Sequence, residues 1–237
     1  MHRPRLTAVA LFILAATVAG CSSSPEEQLL SQFFRASRMR DNATLANISM
    51  VSFAPTDRGI VQSFDVESIS EQTRRPMRAK ALAEALMATE ATDQEFSDRK
   101  QAYQDENLEA IERVLEAERE GEEPSRRADR DIQEAWTQWR TEMAEHAQTV
   151  SDARAALSEA RVVAEGSTFS PAEPVDVTMY EGEIASFTVR ILAQVRTPDE
   201  QDLEQTLEVT LEQAQLTGDD GTPLNGRWII TAIDEVG

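Results

Sequence analysis

The sequence predicts an α+β protein: two helices and a strand, a long helical segment, and then a curved antiparallel sheet. Three observations carry this prediction. Apolar residues recur at helical spacing near the start, residues 72–165 contain one Gly and two Pro, and from Pro171 the apolar period becomes two. A hydrophobic content of 41% is sufficient for a packed core, so we expect a folded chain.

The first 21 residues have the parts of a secretion signal. Arg3 and Arg5 precede residues 6–19, an uncharged and mostly apolar stretch that is too short for a comfortable transmembrane helix. Val18-Ala19-Gly20 then leads into Cys21, the only cysteine of the chain. This tetrapeptide resembles the lipobox of bacterial lipoprotein precursors. The alternative is an ordinary signal peptide with an incidental cysteine.

The lipoprotein resemblance implies a lipid anchor. It implies diacylglycerol on the Cys21 thiol, cleavage after Gly20 and acylation, for example by palmitate, of the new amine. Residues 1–20 would then be a signal peptide and residues 21–24 a lipidated tether. Two or more acyl chains hold a protein stably on a membrane. Ser22 resembles the pattern of lipoproteins sent to the outer membrane, so we expect its periplasmic face rather than the inner membrane.

The charge of the chain limits its partners. It has 43 acidic and 23 basic residues, a net charge of −20, and loss of the signal peptide makes it two units more negative. Such a surface repels phosphate backbones and anionic lipid, so we expect no nucleic-acid partner. Arg74, Arg75 and Arg78 form a basic cluster that we expect to pair with acids of the sheet.

Two amphipathic helices and a strand are predicted after the tether. Ser24 and Pro25 are a typical N-cap and first helical residue. A shorter helix begins at Asp41-Asn42, and residues 60–70 alternate as a strand. The residues that we expect to face the core are Leu29, Leu30, Phe33, Phe34 and Ser37, then Leu45 and Ile48, then Ile60, Phe64 and Val66.

Residues 72–166 are predicted to form a coiled-coil hairpin. Its helices span about 76–120 and 126–164, with Pro76 in the first turn and Gly121 to Ser125 as a helix stop and new N-cap. Each arm would be roughly 60–70 Å long. The second helix has a heptad seam, and the first has a weaker one that includes Asn107. The stronger seam is Ile132, Trp136, Trp139, Met143, His146, Val150, Ala153, Leu157, Ala160 and Ala164.

The register of the hairpin follows from a simple rule. Facing residues of antiparallel helices have residue numbers with a constant sum, and a sum of 246 places large side chains opposite small ones at several levels. This register pairs Tyr103 with Met143 and Phe96 with Val150, and it places His146 opposite Lys100. The same register pairs Val114 with Ile132, Ala110 with Trp136, Thr89 with Leu157, Leu86 with Ala160 and Leu82 with Ala164.

Four stretches after residue 171 alternate as strands: residues 174–180, 183–197, 201–215 and 226–234, separated by turn residues. Long antiparallel strands of this kind form a curved sheet, and the N-terminal helices would cover its apolar face. The residues expected on that face include Phe187, Val189, Ile191, Leu207, Val209, Leu211 and Ile229.

Two helices, a strand and a meander that ends in Gly226-Arg227-Trp228-Ile229-Ile230 resemble the NTF2-like cone, in particular that of small envelope lipoproteins. The resemblance covers residues 25–70 and 171–236. It implies an NTF2-like domain of residues 25–71 and 167–237. The hairpin of residues 72–166 would then be inserted where the family has a short helix or loop. NTF2-like enzymes place acid or base groups inside the cone, whereas the inner face predicted here is aliphatic.

The chain lacks the residues of common catalytic sites. Without the signal peptide, His146 is the only histidine and no free thiol remains, so we expect neither a zinc centre nor a cysteine nucleophile. No Gly-rich phosphate loop occurs, and Asp219-Asp220-Gly221 indicates a hairpin turn rather than a calcium loop. We expect no cofactor, no metal and no catalytic residue, and we interpret His146 as a packed seam residue.

The hairpin carries the candidate contact residues. Two helices cannot fully cover both Trp136 and Trp139, although core packing is the alternative role for them. Arg126, Arg127 and Arg130 form a positive cluster at a helix start, where the dipole disfavours them; solvated side chains are the alternative. We therefore predict a non-catalytic scaffold or adaptor that binds another envelope protein through the hairpin. The other hypotheses are a small apolar ligand in the cone and, third, an enzyme.

Overall fold

The computed structural model describes residues 24–236, so Cys21, the predicted signal peptide and Ser22 and Ser23 of the tether lie outside the described residues. The described chain is an α+β fold with four α-helices and a six-stranded antiparallel sheet, which confirms the predicted class. The elements are α1 Pro25–Met39, α2 Asn42–Ile48, β1 Ile60–Ile69, β2 Thr73–Pro76, α3 Ala79–Glu120, α4 Arg127–Thr168, β3 Glu181–Arg196, β4 Asp202–Thr217, β5 Pro223–Asn225 and β6 Ile229–Val236.

Helix α1 begins where the sequence predicts. The Ser24 hydroxyl accepts a hydrogen bond from the Glu27 N–H at 3.3 Å, and Pro25 is the first helical residue. The helix ends at Arg40, whose φ of 55° lies in the left-handed region. Leu30 and Phe33 are completely buried, so the predicted side of this helix faces the core.

Strands β3 and β4 are the centre of the sheet and pair along their whole length. Strands β1 and β2 pair with the other edge of β3, while β5 and β6 pair with the other edge of β4. Phe187 lies opposite Leu211, and Ile184 lies opposite Ala214. Because successive side chains alternate, these two pairs point to opposite faces, and each face has its own core.

Helices α1 and α2 cover the first face, as predicted. The prediction of Ile229 on this face is wrong, because Leu211 pairs with Ile230 and the pairing of β4 with β6 is irregular at that point. Ile229 therefore points to the opposite side. The buried residues of this core include Leu30, Phe33, Phe34, Ile48, Phe53, Val61, Phe187, Val189, Ile191, Leu207, Val209, Leu211 and Ile230.

Bulges change the buried face of β1. Its pairing with β3 shifts between Val61 and Ser63, and again between Val66 and Ser68. Val61 is 6% exposed and belongs to the core in place of the predicted Ile60, while Phe64 and Val66 pack against it. A bulge adds one residue to a strand, so the buried residues no longer follow a strict period of two.

The predicted strand over residues 174–180 is wrong. Val177–Met179 form a single 3₁₀ turn, and the Asp176 carboxylate accepts hydrogen bonds from the Thr178 N–H at 3.0 Å and the Thr178 hydroxyl at 2.7 Å. This local side-chain bond competes with strand pairing. Val177 is nevertheless buried and belongs to the core on the second face of the sheet.

The second face of the sheet packs against the ends of α3 and α4. Pro76 is the last residue of β2 rather than part of a helix, and α3 begins at Ala79; α4 continues past residue 164 to Thr168. Both ends of the predicted hairpin segment therefore share a core with the sheet, while the domain boundaries at 72 and 166 stay a prediction. This core consists of Met77, Ala79, Ala164, Val177, Ile184, Ala214 and Leu216.

Helices α3 and α4, together the helical pair, lie antiparallel along the part of α3 that precedes Asn107, but their register differs from the predicted one. Phe96 stacks on His146 instead of facing Val150, and Tyr103 contacts Trp139 instead of Met143. Both observed partners lie about one helical turn from the predicted ones. Because a heptad seam recurs every three or four residues, a slip of one turn keeps the same seam buried, so the pattern alone could not select the register.

Helix α3 changes direction at Asn107, which has the non-helical angles φ −116° and ψ 17°. Its side-chain amide donates to the Tyr103 carbonyl at 2.9 Å. Beyond this residue, Glu118 pairs with Arg140 at 2.8 Å. Straight helices with the register of Tyr103 and Trp139 would separate these charges by roughly 24 Å along the axis. The predicted straight arms are therefore wrong for the part of α3 that follows Asn107.

Candidate partner-binding surface

Four rings pack between α3 and α4 near the middle of the helical pair. Phe96 is 2% exposed, stacks on His146 at 4.3 Å and lies 5.4 Å from Trp139. Tyr103 lies 5.7 Å from Trp139, and burial raises the pKa of its phenol, with a smaller effect from Glu106. Because the rings contact one another, Trp139 contributes to holding the two helices together.

His146 is packed, as interpreted from the sequence, but its neighbours differ from the expected Lys100. Its Nδ1 lies 3.8 Å from the Asp93 carboxylate, and its ring stacks on Phe96. The ammonium of Lys100 instead lies 3.7 Å from the sulfur of Met143. The surroundings of His146 are therefore one aromatic ring and one carboxylate of α3.

The three predicted arginines at the start of α4 are all exposed, but their environments differ. Arg126 is the N-cap residue in place of the predicted Ser125, and it makes no side-chain cap bond. Arg130 donates to the carbonyl oxygens of Pro124 and Ser125 at 3.4 and 3.5 Å. Arg127 has no hydrogen bond or ion pair with any described residue, so its guanidinium is available to a partner.

The predicted positive cluster does not make this end of the molecule basic. Residues 109–134, which include the end of α3 and the start of α4, contain ten acidic residues and five arginines. Arg126, Arg127 and Arg130 are therefore single positive charges on a surface that stays negative. This negative surface does not attract an anionic partner over a long range. A partner that contacts these arginines must therefore fit the shape of the surface.

Two ion pairs connect α4 with the part of α3 that follows Asn107. The Arg113 guanidinium donates to both oxygens of Asp129 at 2.8 and 3.4 Å, and that of Arg140 to both oxygens of Glu118 at 2.8 and 3.0 Å. These hydrogen bonds lower the pKa of Asp129 and of Glu118 below their usual values. The side chain of Asp129 is 8% exposed, and two-point contacts of this kind restrict orientation as well as distance.

Apolar side chains are exposed on the same part of the helical pair. Leu108 is 56% exposed, Leu115 is 37% exposed, and Met143 is 45% exposed. Leu108 and Leu115 are seven residues apart on α3, so they lie on one side of that helix. Trp136 is partly buried and contacts no other ring among the described residues. Leu108 and Leu115, which we call the distal apolar surface, are candidate contact residues, and Trp136 on α4 is a further candidate.

The central side chains of the sheet face under α1 pack tightly, and an open groove of about 320 Å³ lies at its edge, between α1 and β1. Phe33, Val189, Ile191, Leu207 and Val209 are all completely buried there and pack against one another. An open groove of about 540 Å³ lies elsewhere, where β2 meets the first turn of α3 and the last turns of α4. The interior of the predicted cone is therefore a packed core.

Comparison with known protein families, with characterised proteins and with solved structures found no match to this chain. Within residues 24–236, no group of three or more His, Cys, Asp and Glu side chains is placed to hold a metal ion. None of the helices in this described part is both long and apolar enough to cross a membrane.

Sequence reasoning missed three features of this region. It did not find the cluster of rings, the pair of the buried Asp129 with the half-exposed Arg113, or the groove at the base of the helical pair. Phe96 and His146 both lie on the predicted heptad seams of their helices. The correct register between the two helices would therefore have revealed their contact. The groove depends on three separated segments, and no local pattern indicates it.

Proposed function

We propose that this chain is a bacterial envelope lipoprotein that acts as a non-catalytic adaptor. Acyl chains on Cys21 would anchor it to the membrane, on the periplasmic face of the outer membrane. Residues 25–71 and 167–237 would form an NTF2-like domain, and residues 72–166 would be the inserted helical segment that binds another envelope protein. The lipobox-like residues support the anchor, and two helices against an antiparallel sheet support the domain.

The observation that carries the adaptor proposal is the distal apolar surface. Exposed apolar residues that cluster on one side are typical of protein contacts, and partly buried tryptophans often contribute much of the binding energy. Leu108 and Leu115 meet the first description and Trp136 meets the second. Arg127 adds a guanidinium without a partner at the start of α4. The packed face under α1 favours this proposal over a small ligand in the cone.

The anchor is tested by metabolic labelling with a palmitate analogue in a bacterial host. The wild-type chain is expected to incorporate the label, and the Cys21→Ser variant is expected to lose both the label and its membrane association. Equal labelling of the two chains would contradict the anchor without affecting the adaptor proposal.

The adaptor role is tested by site-specific photocrosslinking in the native envelope. A photoreactive residue at Leu108 or Leu115 is expected to give the same adduct, and the same residue at Met39 on α1, which is 71% exposed, is expected to give none. Leu115→Glu should remove the Leu108 adduct, whereas Met39→Glu should leave it. Met39→Glu is on the surface and should alter the unfolding free energy by less than about 0.5 kcal/mol, whereas Leu115 is 37% exposed and Leu115→Glu should cost about 1 kcal/mol. An adduct that survives Leu115→Glu would contradict the proposal.

A further inference from the structure

The groove at the base of the helical pair has aliphatic walls and a charged rim. It is open to solvent and has a volume of about 540 Å³, within the range of about 300–1,000 Å³ that is usual for small-molecule sites. Its walls come from strand β2 and from both long helices. The lining residues are Pro76, Leu82, Ala156, Ala160, Val162 and Val163, with Arg75, Arg78 and Glu159 as the charged ones.

The groove lacks aromatic rings and uncharged polar side chains, because every neutral lining residue is Ala, Val, Leu or Pro. Val162 is 39% exposed, so part of this apolar surface is in contact with water. Flat ligands and sugars use stacking or several hydrogen bonds for recognition. Aliphatic walls alone instead suit a hydrocarbon chain.

Arg78 differs from the other basic residues around it. Arg74 pairs with Glu183 at 3.5 Å, Arg75 with Glu212 at 3.1 Å, and Lys80 with Asp219 at 2.6 Å. The Arg78 side chain has no hydrogen bond and no ion pair with any described residue, contrary to the expectation that the whole cluster pairs with acids of the sheet. Acidic residues outnumber basic ones almost two to one in this chain, so partners are abundant and this guanidinium is still without one.

The stability of α3 does not explain the position of Arg78. Arg78 is the N-cap residue of α3 and makes no side-chain cap bond. A positive charge at a helix N-terminus is unfavourable, because the dipole is positive at this end. Its side chain instead lines an apolar groove, where it could pair with an anionic group of a bound molecule.

We propose that this groove binds an amphipathic monocarboxylate, a free fatty-acid-like anion. Its carboxylate would pair with Arg78, since a planar guanidinium can donate two parallel hydrogen bonds to a carboxylate. Its hydrocarbon chain would lie on the aliphatic walls and remove them from water. Glu159 lines the same groove, and its repulsion of an anion increases with the charge of that anion. A head group with one charge, such as a carboxylate, is therefore favoured over a phosphate monoester with two. This inference does not depend on the adaptor proposal.

Octanoate is the probe, added below its micelle concentration to the full chain with labelled Val, Leu and Ala methyl groups. Saturable shifts in the NMR signals of Leu82, Ala160 and Val163 are expected. Octyl glucoside, which is neutral, and octyltrimethylammonium, which is a cation, should bind more weakly. Octanoate that leaves these signals unchanged, or neutral and cationic probes that bind equally well, would overturn the proposal.

Three variants test the charge assignment. Arg78→Gln should weaken octanoate binding about fivefold, the upper value for a solvent-exposed ion pair. Glu159→Gln should strengthen it, because a repulsive charge is removed. Arg127→Gln, the matched loss of another arginine without a partner, should have no effect. Equal affinity of the wild type and Arg78→Gln would overturn the proposal, since all three changes are on the surface and should leave the fold intact.

A further pair of measurements identifies the source of the ligand. Ala160→Trp should fill the groove and abolish the octanoate-dependent shifts, while the signals of the first core, such as those of Val189, should stay unchanged. Vesicles of anionic phospholipid should not bind in a manner that depends on Arg78. Binding of the vesicles that requires Arg78, without binding of octanoate, would overturn the proposal in favour of a membrane contact.

Discussion

Phe96→Ala should strongly destabilise the helical pair. Phe96 is 2% exposed and contacts His146 on one side and Trp139 on another. Truncation of a buried Phe costs about 3–5 kcal/mol, the larger values occurring where the cavity cannot collapse. His146 and Trp139 are themselves partly exposed and can move, so we expect a loss of about 3 kcal/mol, the lower end of this range.

Urea unfolding at constant m-value measures this loss, and thermal unfolding should show a decrease in Tm of about 6–12 °C, given roughly 2–4 °C per kcal/mol for chains of this size. Phe169→Ala is the matched control, because Phe169 is 50% exposed. That change should cost less than about 1 kcal/mol, since much of the ring is already in water. Similar losses for Phe96→Ala and Phe169→Ala would refute the burial of Phe96 between the helices.

Three further results are expected. In double-mutant cycles, Tyr103 should couple to Trp139 by about 0.5–1.5 kcal/mol and hardly to Met143; the reverse order would restore the register predicted from the sequence. The Glu118 pKa is lowered from its usual 4.5, so the ionised carboxylate stabilises the fold above pH 4.5 and this stability is lost as the pH falls through the lowered pKa. Glu118→Gln should therefore reduce the acid sensitivity of unfolding below about pH 4.5. An unchanged pH profile would contradict the pairing with Arg140. Ser167→Ala should cost about 1–3 kcal/mol of unfolding free energy, because the buried Ala214 N–H of β4 loses its acceptor. A loss below about 0.5 kcal/mol, which is typical of a surface change, would contradict that hydrogen bond.

Local chemistry accounts for the elements that the sequence predicted well. Ser24 caps the start of α1 by accepting the Glu27 N–H, and Pro25 is its first residue, so all these groups lie within four residues. Gly121, with a φ of 75°, ends α3 at the predicted stop. The alternation of β3 and β4 gave the correct buried residues of these strands on the first face, because the two strands pair without a register shift over their whole length. It did not indicate the second core, which includes Ile184, Ala214 and Leu216. Where pairing is irregular, as in β1, the same rule selected Ile60 instead of Val61.

The candidate site was only partly predictable. The sequence indicated Trp136, Trp139 and the arginines at the start of α4, but it could not show that Trp139 packs against Phe96 and Tyr103 while Arg127 stays free. It also could not show that Leu108 and Leu115 are exposed. Several registers between α3 and α4 fit the sequence, and the register decides which side of α3 is covered. Contacts between separate elements decide these properties.

The sequence by itself determined the class of the fold, the order of its main elements, the negative charge and the lipobox-like residues around Cys21. These depend on composition and on periods of two or of about 3.6 residues, which are properties of a single segment. Only the tertiary structure decided the register of α3 with α4, the change of direction at Asn107 and the free guanidinium of Arg78 above an apolar groove. Each of these depends on which of several similar pairings leaves the fewest cavities and unpaired polar groups, and that comparison involves residues far apart in the chain.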